Sequence, residues 1–362
     1  MPTEILSFYG INNQVSIKSY GTGLINHTWK VHTPLRDYIL QRINQLVFQQ
    51  PEHIAHNMEV ITDHLQKNEP GYFFPVLVKT LDGKKMVFHA EKGYFRLFPF
   101  INGSCSHDVA KSAHHAYEAA RQFGLFAKML SKVPVEQLKQ TIPDFHNLVL
   151  RYEQFKKAIQ EGNPMRIAEA NKEIDFIREH DFIVKKFQEI SQGGSFKLRP
   201  THHDTKISNV LFDKSGNGLC VVDLDTVMPG YFLSDVGDMM RTYLCAFSEE
   251  ERDLKKIEIR EEYFAAIMKG YLGQMADVLT EEETNNFVYA GVYMTYMQAM
   301  RFLTDYLNND VYYGAAYEKH NYARARNQLT LLARILEKEE KLKQMICEEV
   351  DKSLPPSKHM FS

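Results

Sequence analysis

The apolar pattern changes period once, near Ile101, and that change restricts the chain to a β-rich N-terminal region followed by a mainly helical remainder. Up to Phe100 the segments VSIKSY, TWKVHT and DYILQRIN are short and rich in β-branched and aromatic residues, so they read as strands. VLVKT and KKMVFHA flank a Leu81-Asp82-Gly83 turn and predict a hairpin. One helix interrupts these strands: Ile54, Met58, Ile61 and Leu65 recur at helical spacing behind Pro51, a residue tolerated in a first helical turn. After YFRLFPFINGS, Val109, Ala113, Ala116, Ala120, Phe123, Ala127 and Leu130 mark a long helix, and segments around 145–161, 165–192, 250–272, 281–307 and 320–347 read as further helices. No Gly/Ser linker separates the two regions. The expectation is an α+β molecule of two lobes, residues 1–101 and 102–362, with a cleft between them.

Charge and cysteine usage remove several classes of function. Lys and Arg number 43 against 46 Asp and Glu, a net charge of −3, and no long stretch carries one sign. The footprint of a nucleic-acid or anionic-membrane binder is missing. Cys105, Cys220, Cys245 and Cys347 lie far apart with no CxxC spacing, which predicts free thiols rather than a disulfide framework or a zinc site. The sequence MPTEILSFYGINN has neither the basic nor the apolar region of a secretory signal, so a cytoplasmic location is expected. The longest uncharged run, Thr284 to Met300, has only 17 residues and includes Asn285, Asn286 and Gln298, so a buried helix is expected there rather than a bilayer span.

A single strand pair intervenes among the helices, NVLFD and LCVVDLD around the turn DKSGNG, and directly before it stands His202-His203-Asp204-Thr205-Lys206-Ile207-Ser208-Asn209. Phosphoryl transfer needs a carboxylate to orient the attacking hydroxyl and oxygen ligands to hold Mg²⁺ against the phosphates. This stretch supplies both. Asp204 is the candidate base, Lys206 the cation that offsets charge on the transferring group, and Asn209 with Asp223 the metal ligands. Asp235 and Asp238, in SDVGDMMR, are candidates for supporting the loop by accepting its backbone N–H groups. Gly21-x-Gly23 lies between two strands, where a glycine-rich turn folds over phosphates, with Asn26 in place of a third glycine and His27 and Thr28 beside it.

HHDTKISN resembles the H-R-D-L-K-P-E-N catalytic loop of protein kinases position for position, and VVDLD sits where their metal-binding Asp would fall. More closely, HxDxxxxN followed by VVDLDTVMPGYFLSDVGD is similar to the aminoglycoside phosphotransferase and choline kinase family. Within that family INHTW, YILQRIN, TIPDFH and MRFLTDYLNNDVYY resemble N-acetylhexosamine 1-kinases. The resemblance implies a bilobal protein-kinase-like fold and ATP with Mg²⁺ as cofactors. It implies that the backbone of Phe98, Phe100 or Ile101, in a hinge where Pro99 has no N–H, receives adenine, with Phe100 and Ile101 the favoured positions. The kinase lysine on the third strand would be replaced by Arg42, or by Gln41 if the alignment is set one residue earlier, with Glu59 as ionic partner. Asp225, Arg301 and Tyr312 would bind the sugar, although Arg301 also stands four residues before Asp305 at the spacing of an ordinary helix ion pair.

The expected function is therefore ATP- and Mg²⁺-dependent phosphorylation of a small sugar, at the anomeric hydroxyl of an N-acetylhexosamine. An amino alcohol or aminoglycoside acceptor is the competing reading on the same fold. A metal-dependent phosphohydrolase using His202, His203 and Asp204, and a non-catalytic nucleotide-binding module, are the competing readings from other classes.

Overall fold

The structure is a computed structural model that describes residues 3–12, 15–21 and 25–353. A short helix α1 (Thr3–Ser7) precedes strands β1 (Ser16–Ser19), β2 (His27–His32) and β3 (Asp37–Arg42), then helix α2 (Pro51–Asn68) and strands β4 (Val87–His89) and β5 (Gly93–Pro99). The five strands form one antiparallel sheet in the order β1-β2-β3-β5-β4. Alternation makes the sheet two-faced. On its outer face Val31, Tyr38, Leu40, Phe95 and Leu97 close over Ile5, Leu6 and Tyr9 around α1 as a small core. The opposite face carries Thr28, Gln41 and Arg96 in register, Thr28 opposite Gln41 and Gln41 opposite Arg96.

The hairpin expected at Leu81-Asp82-Gly83 forms its turn but not its ladder. Thr80 N–H bonds the Lys84 carbonyl at 2.8 Å and Gly83 adopts φ 82°, yet Val76–Thr80 is not a strand. Its Val78 N–H is bonded instead to the Leu97 carbonyl at 2.8 Å, and Val87–His89 pairs with β5. Pro75 starts that segment without an N–H, and the Thr80 hydroxyl is held locally by Asp82 and Lys84, so the two runs do not zip together.

The rest of the chain is helical apart from two strand pairs. Helix α3 (Ala113–Leu130) is capped by Ser112, whose Oγ accepts the His115 N–H at 3.2 Å. Helices α4 (Leu148–Glu161), α5 (Pro164–Glu169), α6 (Asn171–Glu179) and α7 (Phe182–Gly193) follow, with breaks at Ala170 and His180 where one long element was expected. Then come β6 (Arg199–Thr201), β7 (Val210–Phe212), β8 (Gly218–Val221), β9 (Met228–Gly230) and helix α8 (Phe232–Tyr243). Strand β7 pairs with β8, as expected from sequence, and β6 pairs with β9. Helices α9 (Glu261–Met275), α10 (Glu281–Asn285), α11 (Phe287–Leu307), α12 (His320–Glu337) and α13 (Glu339–Ser353) complete the described chain.

The large core runs through this helical region. Helix α11 lies at the centre of this core and is buried on nearly every side, only Gln298, Arg301 and Thr304 forming a partly open polar stripe, which is why the uncharged run needs no bilayer. No helix among the described residues is long and apolar enough to cross a membrane. Helices α3 and α9 cross closely because Gly270 leaves room for the Tyr117 carbonyl, 2.5 Å from where a Cβ would stand. Helix α2 joins this core through Ile54, Met58, Ile61 and Leu65, and is tied to the chain beyond Asp223 by Asn57, whose Nδ2 donates to the Val227 carbonyl at 2.9 Å.

Candidate active site

The HHDTKISN loop is held in place from below by one buried carboxylate. Asp235, on α8, accepts the backbone N–H groups of His202 at 3.2 Å and His203 at 2.8 Å, while its own carbonyl accepts the Thr205 hydroxyl at 2.7 Å. Burial pushes the Asp235 carboxyl up to about 7, in spite of the two N–H donors. His203 adopts φ 67°, a left-handed conformation that a β-carbon disfavours, so the loop turns sharply just before Asp204. Gly230 makes that turn possible: a Cβ there would stand 2.5 Å from His203 Nε2. The second supporting carboxylate expected from sequence does something else. Asp238 pairs with Arg241, Oδ1 to Nη2 at 2.9 Å, and its Oδ2 is buried without a hydrogen bond.

His202 is locked as a structural residue. Its Nδ1 accepts the Asp204 N–H at 3.3 Å, so Nε2 carries the proton and donates to the Val222 carbonyl at 3.2 Å. With both nitrogens used, His202 is no metal ligand, and the phosphohydrolase arrangement of His202, His203 and Asp204 does not form. No group of three or more His, Cys, Asp or Glu side chains suited to a metal is assembled among the described residues.

Asp204 itself faces the open side of the loop. Its Oδ2 accepts Lys206 Nζ at 2.8 Å and Asn209 Nδ2 at 3.0 Å. Burial raises the carboxyl, but the Lys206 ammonium and the Asn209 amide outweigh it and hold Asp204 below the usual carboxylate range. The same attraction holds the Lys206 ammonium above the usual lysine value. Both groups are charged at neutral pH, a base and a cation side by side.

Asn209 and Asp223 are brought together by the β7–β8 pair, whose register continues in the Val222 N–H bond to the Asn209 carbonyl at 2.9 Å. Asn209 Nδ2 is spent on Asp204, which turns the amide oxygen outward. Asp223 takes φ 60°, and among the described residues nothing donates a hydrogen bond to its carboxylate. Burial and the neighbouring Asp225 push the Asp223 carboxyl up to about 7, the behaviour of a carboxylate missing its counter-charge. One carboxylate and one amide oxygen fit Mg²⁺, which takes few protein ligands and completes its shell from phosphates and water.

Several assigned residues stand elsewhere. Gly23 lies outside the described residues. His27 and Arg42 pair across β2 and β3 on the outer face, His27 stacked on Trp29 and Arg42 exposed, so neither reaches the cleft. Parity is the reason: Gln41 and Thr28 lie on the face of Arg96, so of the two candidate residues it is Gln41 that stands on the inner face of β3. Glu59 is an exposed residue of α2 paired with Lys85 at 2.5 Å, so the expected pair with Arg42 is absent. The Phe100 N–H is used by the Asp37 carbonyl at 2.9 Å, and the Phe100 ring lies under Lys30 Nζ at 3.6 Å. Ile101 N–H has no acceptor among the described residues.

Asp225 does not offer a carboxylate to an acceptor. It is fully buried, with Oδ1 ion-paired to Arg96 and Oδ2 accepting Asn26 Nδ2 at 2.7 Å. Arg96 was missed in the sequence, although a charge inside the apolar strand YFRLFPF signals a buried partner. Its Nε and Nη2 donate to Gln41 Oε1 at 3.0 and 2.8 Å, and Gln41 Nε2 reaches Thr28 Oγ1 at 3.3 Å.

On the other side of His203 lies a cationic, aromatic cluster. Arg301 is not paired with Asp305, which accepts the Tyr312 and Tyr313 N–H groups at 2.7 and 2.9 Å. The guanidinium contacts Gln298 Oε1 at 3.2 Å and Tyr312 OH at 3.5 Å, among the rings of Phe145, Tyr312 and Tyr313. Arg151 donates to the Asp144 and Phe145 carbonyls, and its Nε is buried without a partner. Burial, then Arg301, holds the Arg151 guanidinium below its usual value. No carboxylate forms a salt bridge with either arginine among the described residues. Phe145 stacks on His146, and His146 Nδ1 lies 3.4 Å from His203 Nδ1, so the cluster borders the catalytic loop. Phe145 and His146 close the segment TIPDFH, whose resemblance assigned them no role, and Arg151 carries no motif that marks it in the sequence.

The family model for the phosphotransferase enzyme family matches residues 16–272. Among solved structures, the chain is similar to an aminoglycoside phosphotransferase from Alicyclobacillus acidocaldarius (14% identity, TM-score 0.62, 97% of each chain covered). It is also similar to a microcompartment-associated aminopropanol kinase (15%, 0.63, 94% of this chain and 97% of that one) and to an amicoumacin kinase in complex with AMP-PNP and Ca²⁺ (13%, 0.60, 88% and 89%). At these identities the likeness concerns the protein-kinase-like fold. The family match covers most of the chain and coincides with the Asp204, Asn209 and Asp223 constellation, and so the chain belongs to the phosphotransferase enzyme family, as a small-molecule kinase with a hydroxyl acceptor.

Proposed function

We propose that the protein transfers the γ-phosphoryl group of ATP, with Mg²⁺, to the anomeric hydroxyl of an N-acetylhexosamine, giving the sugar 1-phosphate. The observation that carries the acceptor class is the pair Arg301 and Arg151, two guanidiniums with no carboxylate salt bridge among the described residues, Arg301 lying over Phe145, Tyr312 and Tyr313. Ammonium acceptors such as choline, ethanolamine or an aminoglycoside call for carboxylates or an aromatic cage free of cations. Guanidinium donors suit an electron-rich, oxygen-covered acceptor, and sugar rings lie well against aromatic faces. The segments that resemble N-acetylhexosamine 1-kinases include Arg301 and Tyr312 themselves, which narrows the class to that sugar.

In this reading Asp204, ionised and aimed by Lys206 and Asn209, accepts the proton of the attacking hydroxyl. Lys206 offsets charge on the transferring group, and Ile101 N–H receives adenine. Asn209 and Asp223 hold Mg²⁺, which when bound neutralises phosphate charge. The test is ATP consumption across N-acetylhexosamines, neutral hexoses, choline, ethanolamine and aminoglycosides, with the phosphorylated position fixed by NMR. Turnover of an N-acetylhexosamine to its 1-phosphate is expected. A 6-phosphate product, or turnover of choline with none of any sugar, overturns the reading.

A further inference from the structure

In protein kinases a lysine of the third strand and a glutamate of the following helix form the ion pair that sets the nucleotide phosphates. Here both partners are missing from the cleft: Gln41 faces it from β3, and Glu59 of α2 is exposed and bound to Lys85. A different pair occupies the ground between the lobes. Arg96 of β5, 1% exposed, binds Asp225, 2% exposed, which lies two residues beyond Asp223.

Four further contacts tie this pair into a ring. Gln41 Oε1 accepts two guanidinium N–H groups, Gln41 Nε2 reaches Thr28 Oγ1, and Asn26 Nδ2 donates to the second oxygen of Asp225. Asn26 Oδ1 in turn accepts the Asn44 N–H at 3.0 Å. Asn26 and Thr28 stand at the start of β2, and two links, Arg96 to Asp225 and Asn26 to Asp225, join this side of the sheet to the loop that carries Asp223, while the others hold Arg96 and Asn26 in place. Helix α2 contributes a sulfur, Met58 Sδ at 3.8 Å from Arg96 Nη1, and no charge.

We propose that Arg96 is the positioning residue that replaces the strand-lysine and helix-glutamate pair: through Asp225 and Asn26 it fixes the metal-holding loop against the start of β2 and the cleft face of the sheet. Buried, with its guanidinium bound to Gln41 and Asp225, it acts on the nucleotide through these neighbours rather than by touching it. The buried guanidinium also leaves Asp223 as the open carboxylate of the Asp223/Asp225 pair. The inference rests on the nucleotide half of the proposed function and is independent of the acceptor.

The experiment measures binding of the fluorescent nucleotide mant-ATP, without acceptor, in Mg²⁺ and in EDTA. Breaking only one partner strands a buried charge, so the informative variant is the neutral double change Arg96→Gln with Asp225→Asn, checked for a single cooperative unfolding transition. We expect its affinity for Mg·mant-ATP to fall about 10- to 100-fold, the range for groups that orient metal ligands, with a much smaller change in EDTA. Arg96→Lys should recover some of the loss. Should the double variant not fold, Gln41→Met removes the acceptor for Nε and Nη2 without exposing a charge, and a selective loss of Mg·mant-ATP affinity is again expected. A folded variant that binds Mg·mant-ATP like the wild type, or that loses equal affinity with and without Mg²⁺, overturns the proposal. A wild-type chain that binds no mant-ATP in Mg²⁺ overturns the kinase reading and this inference with it.

Discussion

Replacing Gly230 by alanine should damage catalysis without touching a reacting group. The Cβ would stand 2.5 Å from His203 Nε2 and 3.2 Å from Thr201 Cβ, whereas nonbonded heavy atoms rest at about 3.5 Å, so about 1 Å must be found. The His203 ring cannot swing away to supply it. It is buried, its Nδ1 lies against His146, Phe145 packs edge-on to it, and its N–H is held by Asp235. The displacement therefore passes along the backbone to Asp204. A misplacement of about 1 Å in a catalytic group costs about 10²-fold in rate, so kcat should fall by about that factor. Nucleotide affinity should hold within about threefold, because neither Asn209 nor the hinge packs on Gly230. Steady-state kinetics with a nucleotide-binding titration and a circular dichroism melt read all three quantities. A Gly230→Ala enzyme that is folded with kcat within about threefold of wild type, or whose loss lies in nucleotide affinity, refutes the chain of contacts from Gly230 to Asp204.

Asp204→Asn should lower kcat by about 10² to 10⁴ and leave nucleotide binding intact, measured by turnover and titration. Asp223→Ala should abolish turnover and the Mg²⁺ dependence of nucleotide binding, which calorimetry in Mg²⁺ and in EDTA would show. Arg301→Ala should raise the acceptor KM about tenfold or more with little change in the ATP KM, since a charged hydrogen bond contributes about 1.5 to 3 kcal/mol; an unchanged acceptor KM takes Arg301 out of the acceptor site. The last concerns pH and stability. Burial, then His203 and Arg301, depresses the His146 value well below 6.5, so below pH 6.5 the unfolded chain takes up a proton that the folded chain refuses, and stability is lost as pH falls toward the folded value. Asp235, raised to about 7, works in the opposite sense between pH 3.8 and 7, so the comparison must be made between variants. His146→Asn should be less acid-sensitive than wild type by up to about 1.4 kcal/mol per pH unit below 6.5, read from denaturant unfolding at several pH values; parallel profiles would place a proton on His146 in the folded state.

Fold and catalytic loop were legible because local pattern dictates them. A strand period followed by helical periods, and a loop with three fixed spacings before a hairpin, leave few arrangements open. What the sequence hid was which face of a strand looks into the cleft. In YILQRIN both Gln41 and Arg42 are polar, and the register with β5 that turns Gln41 inward depends on partners more than fifty residues away. The same holds for Asp225: strand parity would aim it alongside Asp223, but the chain leaves the strand at Asp223 with φ 60° and enters a 3-10 turn, which rotates Asp225 into the N-terminal sheet. Helix breaks at Ala170 and His180 were equally hidden, since apolar residues continue at helical spacing across both.

The charges of the cleft divide into those already matched inside the protein and those that are not. Lys206 answers Asp204, Arg96 answers Asp225, and Arg241 answers Asp238. Among the described residues Asp223 has no hydrogen-bond donor, and Arg301 and Arg151 have no carboxylate salt bridge. A protein gains little by holding a charge unmatched in a half-buried site unless a ligand brings the counterpart. The unmatched carboxylate stands beside Asn209, where a hard divalent cation would complete the balance, and the unmatched guanidiniums stand across His203, where in the proposed reading the lone pairs of an oxygen-rich acceptor would do so. Reversing the acceptor side, with Arg301→Glu, should therefore weaken sugar binding and leave the Mg²⁺ requirement as it is, whereas a site shared by both ligands would change in both respects.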